Sequence, residues 1–169
     1  MSVGCPAEWT ATPSADPSIA LPANGGSLIL HAAASGTQNY VCTSSDVDAG
    51  DGKSYSWTLV APAATLADCA GSPIGMHSAP TGAANPQWTN NDGSVVVGHK
   101  VTSFTPDSTA IAWLLLAATS HSGDGIMSRV HYVQRLNSKG GLPSGACDAT
   151  HVGATDDSFY TADYYFFGD

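Results

Sequence analysis

AIAWLLLAATSHSGDGIMSRVHYVQRLN, residues 110–137, carries the pattern that decides the fold. Its first run, Ala110 to Thr119, is the most hydrophobic in the chain. A bilayer-spanning helix needs about 20 apolar residues, so this run is too short to cross, but it suits a buried strand. The turn that follows supplies Gly123, Asp124 and Gly125, residue types that accept positive φ. From Ile126 the character alternates, with Val130, Tyr132, Gln134 and Leu136 on one side and His131, Val133 and Arg135 on the other. The pattern predicts a β-hairpin whose first strand is buried on both faces.

Working outward, Asn91-Asp92-Gly93-Ser94 places Asp-Gly between Trp88 and a strand over 94–104, a strong hairpin signal. Ser54 to Val60 alternates, with Tyr55, Trp57 and Leu59 on one face, as in an antiparallel strand with one solvated side. Ala61 to Ala67 reads as its continuation. Ser27–Ala33 and Thr37–Thr43 read as two further strands, and Ser158–Phe167 as an aromatic one. Gly71–Asn85 reads as a loop. No segment offers three turns of helical period. The expected architecture is therefore all-β, a single antiparallel sandwich or barrel of about eight strands over residues 27–169. Residues 1–26, with Pro6, Pro13, Pro17, Pro22 and Gly25-Gly26, predict an extended N-terminal arm.

Only 11% of the 169 residues are charged, and fourteen acids against five Lys and Arg give a net charge of −9. Phosphate backbones and anionic membrane surfaces repel such a chain, so nucleic-acid binding is not expected, nor is membrane insertion. Cys5, Cys42, Cys69 and Cys147 match no zinc spacing. An even count in a chain poor in charge predicts two disulfides and an oxidising, extracellular compartment. Of three possible connectivities, the expectation adopted is Cys42–Cys69 with Cys5–Cys147, the second tying down the arm. Residues 2–18 hold no apolar core of a signal peptide, so secretion would imply that one has been removed.

Several short motifs occur together: GTQNYVC (36–42), ATLADC (64–69), G-x-H (75–77), W-x-x-x-D-G-S (88–94), WLLL (113–116), VQRLNSKGG (133–141), P-x-x-x-C (143–147) and YTADYYFF (160–167). In this order the sequence resembles a family of small secreted bacterial and fungal proteins whose domain has no known function. The resemblance implies a secreted, disulfide-containing β protein and implies no reaction. The segment between His77 and Trp88 is longer than the family's compact form. Some members carry a malate-dehydrogenase label, but this chain has no strand, glycine-rich turn and helix unit to hold a dinucleotide.

Six histidines are scattered without H-x-H or H-E-x-x-H spacing, the acidic loop at Asp46, Asp48 and Asp51 lacks the frame of a calcium loop, and no G-x-S-x-G elbow occurs. No catalytic residue, metal ligand or cofactor is assigned. Acidic pairs for glycoside hydrolysis are conceivable among Asp92, Asp156, Asp157 and Asp163. Three residues stand out as ligand-binding candidates: His77, Trp88 beside the Asp-Gly turn, and Arg135, a rare cation. Arg135 has two readings. One is an anion or carbohydrate contact made with Gln134 and nearby aromatics; the default is a cross-strand pair with Asp163. The functional expectation is a secreted non-enzymatic β domain. It would act as a surface or matrix component, or as a module binding carbohydrate or another protein, able to self-assemble as a homo-oligomer through strand addition. The alternative is a secreted metal-assisted, hydrolase-like enzyme with a histidine site around His77.

Overall fold

In a computed structural model, described for residues 4–46 and 52–169, the chain is built from eight antiparallel strands with no α-helix among the described residues. In order they are β1 (Ser27–Asp46), β2 (Lys53–Ala67), β3 (Pro73–Ser78), β4 (Gln87–Asn90), β5 (Val95–Phe104), β6 (Trp113–Ser122), β7 (Val130–Gly140) and β8 (Thr155–Gly168). Each strand pairs with the next, and β8 returns to pair with β1 from Ser27↔Gly168 to Val41↔Thr155. One sheet thus closes on itself as a ring, rather than splitting into two stacked sheets. The expected turns are present: Gly93 has φ of 90° and Gly123 of 75°.

Three local readings of the sequence change. The two strands expected over 27–33 and 37–43 are one 20-residue strand, β1. Ser35-Gly36 between them is not a turn, because Gly36 lets β2 come close: a β-carbon there would lie 2.1 Å from the Ala63 carbonyl oxygen. Ile29 is the extra residue of a β1 bulge against β8, and Val60 that of a β2 bulge opposite Asn39 and Tyr40; such bulges bend the strands around the ring. Gly75-Met76-His77, read as loop, forms β3. The second half of the central hairpin also starts late, because Ile126–Arg129 winds into a single 3-10 turn before β7 begins.

That turn is held by the Asp-Gly hairpin. Asp92 Oδ1 accepts from the Ser94 amide at 2.9 Å and from its hydroxyl at 2.5 Å. Asp92 Oδ2 accepts from the Ile126 amide at 2.8 Å, and Ser94 Oγ from the Met127 amide at 3.0 Å. Met127 is thereby pressed fully out of solvent among Val96, Val130, Trp88, Leu66 and Phe166, which fill this end of the ring. Small residues on β1 and β2 (Ala32, Ala34, Ala64) face the large Tyr160, Tyr164 and Phe166 of β8, the alternation that packs a small ring.

The arm lies against the outside of the ring. Ile19, in a 3-10 turn at Pro17–Ile19, is completely buried among Leu115, Leu136, Tyr165 and Phe167, and the Gln134 side chain donates to its carbonyl at 2.8 Å. Trp9 stacks on His31 at 3.8 Å, and His31 stacks in turn on Tyr165 at 4.1 Å. β6 is therefore covered twice, at Leu115 by the arm and at Leu116 by the interior, as its doubly apolar sequence predicts.

All four cysteines are paired, but as Cys5–Cys69 and Cys42–Cys147 rather than as expected. The reason is topological. In a ring of successive antiparallel strands, alternate connections fall at opposite ends. Cys69 lies in the β2–β3 turn, at the end where β1 begins, within reach of the arm. Cys147 lies in the β7–β8 connection at the other end, beside the later part of β1, where Cys42 exchanges backbone hydrogen bonds with Gly153 and Ala154. Peptide mapping under non-reducing conditions should yield Cys5–Cys69 and Cys42–Cys147 peptides and no Cys42–Cys69 species. Met127→Ala should lower unfolding free energy by about 2–5 kcal/mol, read by chemical denaturation.

Candidate functional site: a cavity inside the ring

The connections β3–β4 (79–86), β5–β6 (105–112) and β7–β8 (141–154) share the end of the ring opposite Met127. Here the interior is not filled. A cavity of about 680 Å³ is bounded by Leu59, Pro62, Trp88, Ile111, Leu114 and Leu116, with Ala84, His99, Lys100, Ser103 and Leu142 as its exposed contributors. Its polar side chains are Gln38, Tyr40, His77, His99, Lys100, Ser103, Arg135 and Tyr164. The three residues singled out from sequence, His77, Trp88 and Arg135, all line it.

Each reaches the interior through strand alternation. Arg135 pairs in register with Leu114 on β6 and Tyr164 on β8, so these three side chains stand abreast on the inner face. Its neighbour Gln134 points outward to the arm and takes no part in the cavity. Asp163 also faces outward, opposite Leu136, and its carboxylate accepts from Asn137 at 2.9 Å and bonds His31 at 2.9 Å. The cross-strand Arg135–Asp163 pair is therefore ruled out by the two-residue period of the strand. Arg135 is 9% exposed, and its Nε donates to the Ala112 carbonyl at 2.9 Å. Among the described residues, no carboxylate lies within 4.0 Å of its guanidinium.

His77 stacks on Trp88 with centroids 4.6 Å apart and planes 9° apart, and Tyr164 packs against both. Trp88 is 1% exposed and forms a packed wall of the cavity. Its indole Nε1–H is buried without an acceptor, as is the Gln38 Oε1 without a donor. His77 Nδ1 lies 3.0 Å from the Gln87 carbonyl, which only accepts, so the ring proton sits on Nδ1 and Nε2 keeps its lone pair. Burial pushes the His77 pKa down to about 3, the Gln87 carbonyl opposes this, and the positive charge of Arg135 adds to it. Tyr40 is raised by burial, against a lowering pull from Arg135, and its hydroxyl donates to the Gly141 carbonyl at 2.6 Å.

The other histidines are engaged elsewhere or stand at the rim. His121 bonds the Val130 carbonyl, His131 and His151 pair with Asp169 and Asp148, and His99 is exposed on β5. Among the described residues no group of three or more His, Cys, Asp or Glu is placed to hold a metal; Asp48 and Asp51 of the acidic loop lie outside those residues. Of the acidic candidates for hydrolysis, Asp92 serves the closed end, Asp163 faces out, and Asp156 accepts from Ser144. None of these lines the cavity.

Gln38, Tyr40, Leu59 and Lys100 were not singled out beforehand. Gln38 and Tyr40 alternate within GTQNYVC, and their period is the one signal that would have placed them together. The segment between His77 and Trp88 contributes Ala83, Ala84 and Pro86 to the cavity wall.

Ring and cavity together define a closed β-fold with an internal pocket. The chain belongs to a family of proteins of unknown function, DUF3455, whose model matches residues 22–168. No curated protein and no solved structure matches it.

Because His77 binds its proton more weakly when folded than when unfolded, it favours unfolding as pH falls. Its contribution is complete above the unfolded value of about 6.5 and is lost progressively toward about 3. The sign follows from proton uptake, since the unfolded chain binds the additional proton across that window. Wild type should therefore lose stability between these limits more steeply than His77→Phe, by up to about 1.4 kcal/mol per pH unit. The His77 imidazole resonances should also stay constant from neutral pH to about 4, a range set by that depressed value.

Proposed function

We propose that this protein is a non-enzymatic module that binds a small organic molecule inside the ring. The observation that carries the reading is the cavity itself. At about 680 Å³ it falls within the range of small-molecule sites, roughly 300–1,000 Å³, with mostly apolar walls and a few polar groups. An apolar-bodied molecule suits these walls better than a carbohydrate, which would need many hydrogen-bonding partners at once. The two disulfides support an extracellular setting. Among the described residues no helix is long and apolar enough to cross a membrane.

The metal-assisted alternative has less behind it. His77 holds one ring nitrogen on a backbone carbonyl, and the cavity supplies no carboxylate or thiolate to complete a ligand set. Ring closure pairs the two terminal strands, so self-assembly by strand addition would have to use the stretches of β2 before Ala64 and of β5 after Gly98, which the short β3 and β4 do not cover.

The test is binding of a neutral environment-sensitive fluorophore, N-phenyl-1-naphthylamine. Saturable one-to-one binding is expected, and Ala112→Trp, which adds an indole to the cavity wall, should weaken it about 10-fold or more. Absence of saturable binding, or binding that Ala112→Trp leaves unchanged in a folded protein, would overturn the proposal.

A further inference from the structure

Resting on that reading of the cavity, we infer that its ligand carries a single carboxylate, received by the Arg135 guanidinium, with an apolar body lying along Leu59, Leu114, Leu116 and the His77–Trp88 stack. The first support is the segregation of charge. Acids outnumber Lys and Arg fourteen to five over the chain. Yet Arg135 and Lys100 both line the cavity, and no Asp or Glu is among its described lining residues. The charged groups of its lining are thus cationic although the chain as a whole is acidic.

The second support is the state of Arg135. It is more than nine-tenths buried, and only its Nε finds a partner, the neutral Ala112 carbonyl. Withdrawing a guanidinium from water without a counter-ion is costly. Its remaining N–H groups form a planar fork that matches a carboxylate with two parallel bonds.

Chemistry narrows the anion further. A phosphate monoester brings nearly two negative charges at neutral pH and wants a cluster of cations. Here a single buried cation is available, and His77 is held neutral beside it. One buried positive charge calls for one negative charge. The exposed Lys100 at the rim is placed to draw an anion inward, an effect that salt screens. The reach of the Arg135 charge is visible in the pull it exerts on Tyr40, His77 and Tyr160.

The experiment compares acids with their uncharged isosteres on the full chain: decanoate against decanamide, and 1-naphthylacetate against 1-naphthylacetamide, by calorimetric titration near neutral pH. A charged hydrogen-bonded contact predicts that the acid of at least one pair binds about 10-fold or more tightly than its amide. Arg135→Met should bring the two members of that pair to near equality while leaving amide binding in place. If this variant does not fold, the wild-type comparison stands, and raising the salt concentration should weaken binding of the acid and leave that of the amide unchanged. Equal binding of acid and amide to wild type would overturn the carboxylate assignment and leave the cavity a neutral-ligand site. Failure of all four compounds to bind would overturn the binding reading and this inference with it.

Discussion

The ladder between β1 and β8 is the constraint on which everything else rests. Without it the sheet would be open, with two edges and no inside. Closure converts the two-residue period of each strand into a distinction between interior and exterior, and so assigns every side chain a role. Arg135 and Gln134 are adjacent in sequence, yet one faces a cavity and the other fastens the arm. The same rule sends Asp163 outward to His31 and Tyr164 inward to Trp88.

Closure also creates a packing problem that the chain solves at one end only. Toward the β4–β5 and β6–β7 turns the interior is filled by Met127, Val130, Val96 and Phe166, with Asp92 and Ser94 bonding the backbone that carries Met127. Toward the other end, where β1 and β2 contribute Gln38, Tyr40, Leu59 and Pro62, there is no comparable plug, and the space between Leu59 and Leu116 stays open. Thus the W-x-x-x-D-G-S motif closes the floor, while VQRLNSKGG shapes a wall. Within the latter, Arg135 faces in, Leu136 packs under the arm, Asn137 takes positive φ at a register shift, and Ser138 donates to the Ile111 carbonyl.

Much of this was legible from residue order, because strand alternation and turn chemistry are local. The Asp-Gly turn, the alternation of β2 and the double burial of β6 all express side-chain periods that a sequence displays directly. That His77, Trp88 and Arg135 are chemically conspicuous was equally legible, and the topology brings all three to one cavity. What was hidden depends on contacts distant in sequence. The disulfide pairing required knowing which connections share an end of the ring. The fate of Arg135 required the register that turns Asp163 away from it. Gly36 looked like a break because glycine is common in turns, whereas its role is close approach of a neighbouring backbone.

The N-terminal arm is anchored at both ends, by the Cys5–Cys69 bond and by its continuation into β1, with Ile19 as the contact between. It is thus a closed loop laid over the outer apolar face rather than a free tail. A segment held this way can lift off its surface but cannot diffuse away, so its effective concentration over Leu115 and Phe167 stays high however weak each contact is. Covalent closure lets a short, proline-rich and intrinsically unstructured sequence act as a permanent outer layer of the core.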